Sequence, residues 1–159
     1  TLSLDKLFES FENSLKKFEN DHGMANSRAR LRMTTLYQVA AANKGIVVGT
    51  GNKVEDFGVG FYTKYGDGGV DISPIADCNK SEVWEMGKEL NILKEIIDAA
   101  PTDGLWDDGR TDEGQLGLQY SELEEAMNNI NSLNREKYEK IRKLNLHKME
   151  PIPVCKIPN

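Results

Sequence analysis

This chain has little with which to hold a structural metal, cross a membrane or coat a nucleic acid. Of its 159 residues only two are cysteines and two are histidines, and none falls at the short spacings that zinc sites use. Cys78 and Cys155 form no Cys-x-x-Cys pattern. Both read as free thiols in a reducing compartment, with the cytoplasm as the expected location. No apolar run approaches the ~18 residues of a membrane span, and no signal-peptide pattern opens the chain. The formal net charge is −6, without the clustered basic surplus of a nucleic-acid binder. Nucleotide binding survives that balance, because a few cations at one site outweigh a diffuse acidic surface. Internal repeats and low-complexity segments are missing too. The chain opens at Thr1 and enters a helical pattern at once, as a segment of a longer protein is expected to.

What remains is a chain of one-domain length, able to bury roughly 68–70% of its unfolded surface. Leu4, Leu7, Phe8, Phe11, Leu15 and Phe18 recur on one stripe of an amphipathic helix with Ser3 as N-cap. Asp21-His22-Gly23 is expected to break it. A second helix is predicted from Asn26 to Asn43, ending at Gly45. Gly45 to Gly49 reads as a strand and Lys53 to Val59 as a short helix. Gly60 to Ile75 reads as loop. Further helices are predicted from Asn79 to Leu90, Lys94 to Ala100, Leu116 to Ile130 and Arg135 to His147. The tail with Pro151, Pro153 and Pro158 cannot be helical. A lone strand cannot satisfy its own backbone, so it needs a sheet supplied from elsewhere.

Two polar loops carry the chemistry. Ile46-Val47-Val48 runs into Gly49-Thr50-Gly51-Asn52-Lys53-Val54-Glu55, and Thr63-Lys64-Tyr65-Gly66-Asp67-Gly68-Gly69-Val70-Asp71 follows. Glycines after a strand let amide groups approach phosphates. The first loop lacks the third glycine of a dinucleotide fingerprint and the closing Gly-Lys-Ser/Thr of a Walker A loop. The second fails the calcium-loop spacing, since Cys78 stands twelfth from Asp67. Thr50 suits a phosphate or base contact. Glu55 suits magnesium as a hard oxygen ligand, or is a solvated first-turn glutamate. Lys64 and Lys80 are phosphate candidates or plain surface lysines. His147 and Lys148 close the last helix, where cations also serve as C-terminal caps. On the second helix Asn26, Arg30, Met33 and Tyr37 share one stripe, while Arg28 and Arg32 fall on the far side and read as solvated. Arg30 either meets an anion or pairs with a neighbouring carboxylate.

In order, Asn26-x-x-Ala29-Arg30-x-Arg32-Met33, Gly49-Thr50-Gly51-Asn52-Lys53-x-Glu55, Thr63 to Gly69 with Asp71, Pro74-Ile75 with Lys80, Pro101-Thr102 with Leu105-Trp106, Asp112-Glu113 with Leu116-Gly117 and Tyr120, and His147-Lys148 resemble NAD synthetase of the ammonia-dependent type. The resemblance covers nearly the whole chain. It implies an α/β fold, with residues 1–159 as the C-terminal, mainly helical half of a Rossmann-like ATP-pyrophosphatase domain (adenine nucleotide alpha hydrolase-like). It implies an enzyme that adenylates deamido-NAD with ATP and then lets ammonia displace AMP. Thr50, Lys80 and Thr102 would contact ATP, and Glu55 would ligate Mg2+. Arg30, Lys64, Asp71, His147 and Lys148 would contact deamido-NAD, and a homodimer is implied. The family's Ser-Gly-Gly-x-Asp-Ser pyrophosphate loop does not occur in this sequence, so the segment alone is expected to be inactive. A non-catalytic nucleotide-binding remnant and a related amide ligase are the alternatives. Three departures stand out: one added residue between Glu55 and Thr63, Asp103 in place of the usual alanine, and Gln115 where glutamate is common.

Overall fold

The computed structural model describes residues 1–157, so Pro158 of the expected non-helical tail lies outside the described residues. Helices α1 (Asp5–Leu15), α2 (Asp21–Ala42), α3 (Lys80–Glu89), α4 (Lys94–Ile97), α5 (Asp112–Leu116), α6 (Tyr120–Asn128) and α7 (Arg135–Met149) are joined by long irregular segments. A 3-10 turn, Lys16–Phe18, follows α1, and a π-helical turn, Lys53–Val59, follows the glycine loop. None of the helices is long and apolar enough to cross a membrane.

The expected strand is reduced to one parallel bridge, Val48 to Ile72. Around it the Gly49 amide donates to Ile72 O at 2.7 Å and the Asp71 amide to Val47 O at 2.9 Å. Val47 is buried, while Ile46, Val48 and Ile72 stay exposed. This pairing is too short to count as a strand, because among the described residues only the Asp71-Ile72 backbone lies beside it.

Several boundaries move for local reasons. The break between α1 and α2 comes earlier than Asp21, because Asn20 caps α2 by accepting the Gly23 amide at 2.8 Å. Asp21-His22-Gly23 is therefore the first turn of α2, with Asp21 well placed against the helix dipole. Leu116 to Ile130 is not one helix. Gly117 takes φ 68° and ends α5, then Gln119 and Glu122 form a capping box that starts α6. The 94–100 segment holds a single helical turn, α4. Ser3 is not the N-cap of α1; Leu4 is, and no residue of α1 is buried.

The core lies under the π turn. Val54 and Val59 from that turn pack with Leu116, Leu118, Tyr120, Leu123, Ala126 and Tyr138, and Phe61, Trp84, Met127 and Ile141 close the edges. The turn itself is π-helical rather than α-helical. A π turn closes hydrogen bonds from residue i to i+5, so it absorbs one more residue than an α turn. The Gly60 amide accordingly donates to Glu55 O. Gly60 has φ 66°, and a Cβ there would lie 2.7 Å from Asn145 Cβ of α7. Only glycine ends the turn that close to α7.

Candidate active site

Glu55 is placed by its neighbours in the chain. The buried Asn52 caps the π turn, its Oδ1 accepting the amides of Val54 and Glu55 at 3.0 and 3.1 Å. That fixes Glu55 on the wall of a cavity of about 500 Å3, which Thr50, Lys80, Thr102 and Asp112 also line. The reading of Glu55 as a solvated first-turn residue fails. Its side chain is 15% exposed and its Oε1 lies 2.9 Å from the ammonium of Lys80, itself 16% exposed. Lys80 is the first residue of α3, positioned by the Asn79–Glu82 capping box.

The same Oε1 accepts the hydroxyl of Tyr120 at 2.5 Å, and that hydroxyl lies 3.2 Å from Asp112 Oδ2. Tyr120 is buried, with Trp84 edge-on at 5.9 Å and the Lys80 ammonium 4.8 Å above its ring. Burial, then the Glu55 charge, pushes the phenol far above its ordinary range, so it remains a donor. Burial also raises the Asp112 carboxyl, opposed by the Tyr120 hydrogen bond. Asp56, next in sequence, is pushed up to about 7 by burial and then by the charges of Glu55 and Asp67. These three residues were missed as functional candidates. Their signal was present, since Asp112 and Tyr120 stand among the residues that carry the resemblance, but no periodicity marks a buried acid.

Thr102 reaches the cavity from an irregular loop, its hydroxyl donating to Arg110 O at 3.1 Å. Here Arg28 is partly buried rather than solvated, whereas Arg32 stays exposed as expected and makes one contact to the loop. Arg28 Nη1 donates to Leu105 O at 3.0 Å and approaches Asp107 at 3.4 Å, and its guanidinium lies 4.4 Å from the Phe8 ring centre. Arg32 donates to Gly104 O at 3.0 Å. The far side of α2 thus holds the loop that carries Thr102, which a helix seen alone does not reveal.

Two of the departures noted above touch each other, Asp103 from this loop and Gln115 from α5. Gln115 Nε2 donates to Asp103 Oδ2 at 3.1 Å, and Asp103 Oδ1 caps the Leu105 amide at 2.9 Å. A glutamate at 115 would set two carboxylates together. Gln115→Glu is therefore expected to destabilise the protein by about 1 kcal/mol, and Asp103→Ala in the same chain to relieve much of that cost. Thermal melts of both single variants and the double variant measure the coupling; additive effects would show the contact to be idle.

The second predicted set gathers elsewhere. The stripe assigned on α2 does face the 63–71 loop: Thr63 Oγ1 donates to Asn26 Oδ1 at 2.7 Å, Arg30 Nε to Lys64 O at 3.3 Å, and Tyr37 to Asp71 Oδ1 at 3.1 Å. Lys64 donates to the carbonyl of His147. Lys148 turns inward, donating to Gly60 O and Tyr62 O at 2.8 Å each, and burial lowers its pKa. Asp71 Oδ2 accepts the Val47 amide at 2.7 Å. Arg30, Lys64, His147 and Lys148 thus come together where the end of α7 meets the loop. Neither these four nor Asp71 line the cavity of Glu55, whereas Gly66, Asp67 and Gly69 of the same loop do.

The donor set fits a hard cation. Magnesium takes one or two protein carboxylates and completes its shell with phosphates and water, and no group of three or more ligating side chains forms among the described residues.

Comparison with known proteins identifies the family. The profile of the NAD synthase family matches residues 1–157. The NH(3)-dependent NAD(+) synthetase of Carboxydothermus hydrogenoformans is 42% identical over 127 residues, covering 77% of this chain and 51% of that protein. The Mesoplasma florum NH(3)-dependent NAD(+) synthetase is 39% identical over 152 residues, covering 92% and 62% respectively. The solved structure of an NMN synthetase from Francisella tularensis superposes with a TM-score of 0.88 at 35% identity, over 100% of this chain and 66% of that one. The chain thus spans about half to two thirds of the length of these relatives. Matched from its first residue to its last described one, it belongs to the NAD synthase family.

Proposed function

We propose that the full-length protein carrying this segment makes NAD from deamido-NAD, ATP and ammonia. A nicotinate carboxylate oxygen attacks the α-phosphorus of ATP, pyrophosphate leaves, and an acyl-adenylate forms. Ammonia then attacks the acyl carbon, the bond to AMP breaks, and the surplus proton passes to solvent. Thr50, Lys80 and Thr102 hold ATP, and Glu55 takes the magnesium, which when bound neutralises the triphosphate charge. Arg30, Lys64, Asp71, His147 and Lys148 hold deamido-NAD. The C-terminal half of an ATP-pyrophosphatase-type α/β domain is the reading of residues 1–159, in a cytoplasmic homodimer. The exposed Leu36 and Val39 of α2 suit an interface between copies.

One observation carries this reading. Thr50, Glu55, Lys80 and Thr102, spread over about a third of the chain, line a single cavity. The experiment is to supply the full-length protein with ATP, ammonium and deamido-NAD and to quantify the products. NAD, AMP and pyrophosphate in equal amounts are expected; ADP and phosphate would refute the adenylation. The 159-residue segment alone should give none of these, and turnover by it would overturn the view that the pyrophosphate loop is required.

A second reading has its own support in the match to a protein described as an NMN synthetase. Nicotinate mononucleotide would then be the acceptor. Comparing kcat/KM for the two acceptors separates them, and a preference for the mononucleotide would withdraw the assignment of Arg30, Lys64, Asp71, His147 and Lys148 to a dinucleotide.

A further inference from the structure

Asp112 is 7% exposed, lines the same cavity as Glu55, and its Oδ1 has no hydrogen-bond partner among the described residues. A buried, unmatched carboxylate oxygen is costly and calls for an explanation. Its other oxygen shares the Tyr120 hydroxyl with Glu55 Oε1, so one phenol holds the two carboxyl groups side by side. A tyrosine has a single hydroxyl proton and cannot satisfy both acids fully. The positive charge facing the pair is the Lys80 ammonium, which bonds Glu55 and leaves Asp112 Oδ1 unmatched.

We propose that Asp112 and Glu55 are two protein ligands of one divalent-cation site, filled together with a nucleoside triphosphate. This rests on the reading of Glu55 given above and adds a ligand to it. Two carboxylates on one side, with phosphate oxygens and water on the other, are what magnesium or manganese accepts. Lys80 holds the site when the cation is away. Arrival of the cation releases its ammonium from Glu55, and the same side chain then meets the triphosphate. Tyr120 is a positioning residue, setting the gap between the carboxylates without touching the ion.

Manganese bound to the full-length protein, measured by loss of the free-ion paramagnetic resonance signal with a non-cleavable ATP analogue present, tests this. Wild type should bind, and both Glu55→Gln and Asp112→Asn should weaken manganese at least tenfold. Weakening by Glu55→Gln with none by Asp112→Asn would overturn the proposal and leave Glu55 as a ligand. Weakening by Asp112→Asn alone, or no binding by wild type, would sink the reading of Glu55 and the proposal with it. Should Asp112→Asn not fold, wild type suffices. Ferrous iron in the site, given ascorbate and peroxide, should cut the backbone near both 55 and 112. Cuts near 55 without any near 112 would refute the shared site.

Discussion

Glu55→Gln in the full-length protein is expected to lower kcat/KM for ATP by roughly 10²–10³-fold, the scale for removing one preorganised electrostatic contact. The substitution keeps the shape and hydrogen-bonding oxygen that Tyr120 meets, and removes the charge that a hard cation and Lys80 both prefer. Two consequences separate these partners. Loss of the cation contact should raise the magnesium concentration needed for half-maximal rate, while deamido-NAD binding stays near wild type. Loss of the Lys80 pair should lower the melting temperature, since that pair is about 85% buried on both sides and a lone ammonium is left behind. Rate against magnesium, read beside thermal melts, resolves the two. A rate that falls without any change in magnesium dependence would make Glu55 a structural partner of Lys80 and nothing more.

How far the sequence could carry the argument varies with the range of the interaction. The π turn was legible as a helix from its place directly after the glycine loop, and the Asn52 and Gly60 caps that the structure shows act within the same turn. The start of α3 was legible in a local signal of that kind, the Asn79 cap. The boundary at Gly117 was not, because a glycine inside a helical pattern is often tolerated and only its φ of 68° makes it a stop. The strand at Gly45 to Gly49 was read from its apolar run, yet a strand is a relation between segments, and here it finds only the Asp71-Ile72 backbone. The site divides in the same way. Thr50, Glu55 and Lys80 could be picked out by residue type, but the Lys80–Glu55 pair and the Tyr120 bridge span 25 and 65 positions. Periodicity cannot see such contacts. The glycines show the limit most clearly: Gly49 was read as freeing amides for phosphates, and a Cβ there would meet Val70 at 2.9 Å, so close packing of the chain on itself is a sufficient reason for it.

The arginines of α2 give the second large effect, and it reverses the expectation drawn from helical geometry alone. Arg28 falls on the side opposite Arg30, which by itself suggests a solvated residue whose loss would cost little. In the folded chain that side faces Phe8 and the 104–107 loop. Arg28→Ala removes a charged donor to the Leu105 carbonyl and a cation–π contact with Phe8, and should cost about 2 kcal/mol. For a protein of this size that is a fall of about 4–8 °C in Tm. Because the loop also carries Thr102 to the cavity, ATP binding should weaken, while deamido-NAD binding changes little. Arg30→Ala should do the opposite. Arg30 is exposed and makes one long bond to the Lys64 carbonyl, so its removal should leave stability within about 0.5 kcal/mol. Its guanidinium stays free to meet an anion, and its loss should weaken deamido-NAD binding by about 1.5–3 kcal/mol. Calorimetric titration of each nucleotide into each full-length variant, with parallel melts, gives four affinities and two melting temperatures whose pattern must cross. If Arg30→Ala melts early and binds normally, its role is structural and its assignment to the dinucleotide fails. If Arg28→Ala melts with wild type, the anchor between α2 and the Thr102 loop carries no energy, and the loop is held in place by Gln115, Asp103 and Arg32 instead.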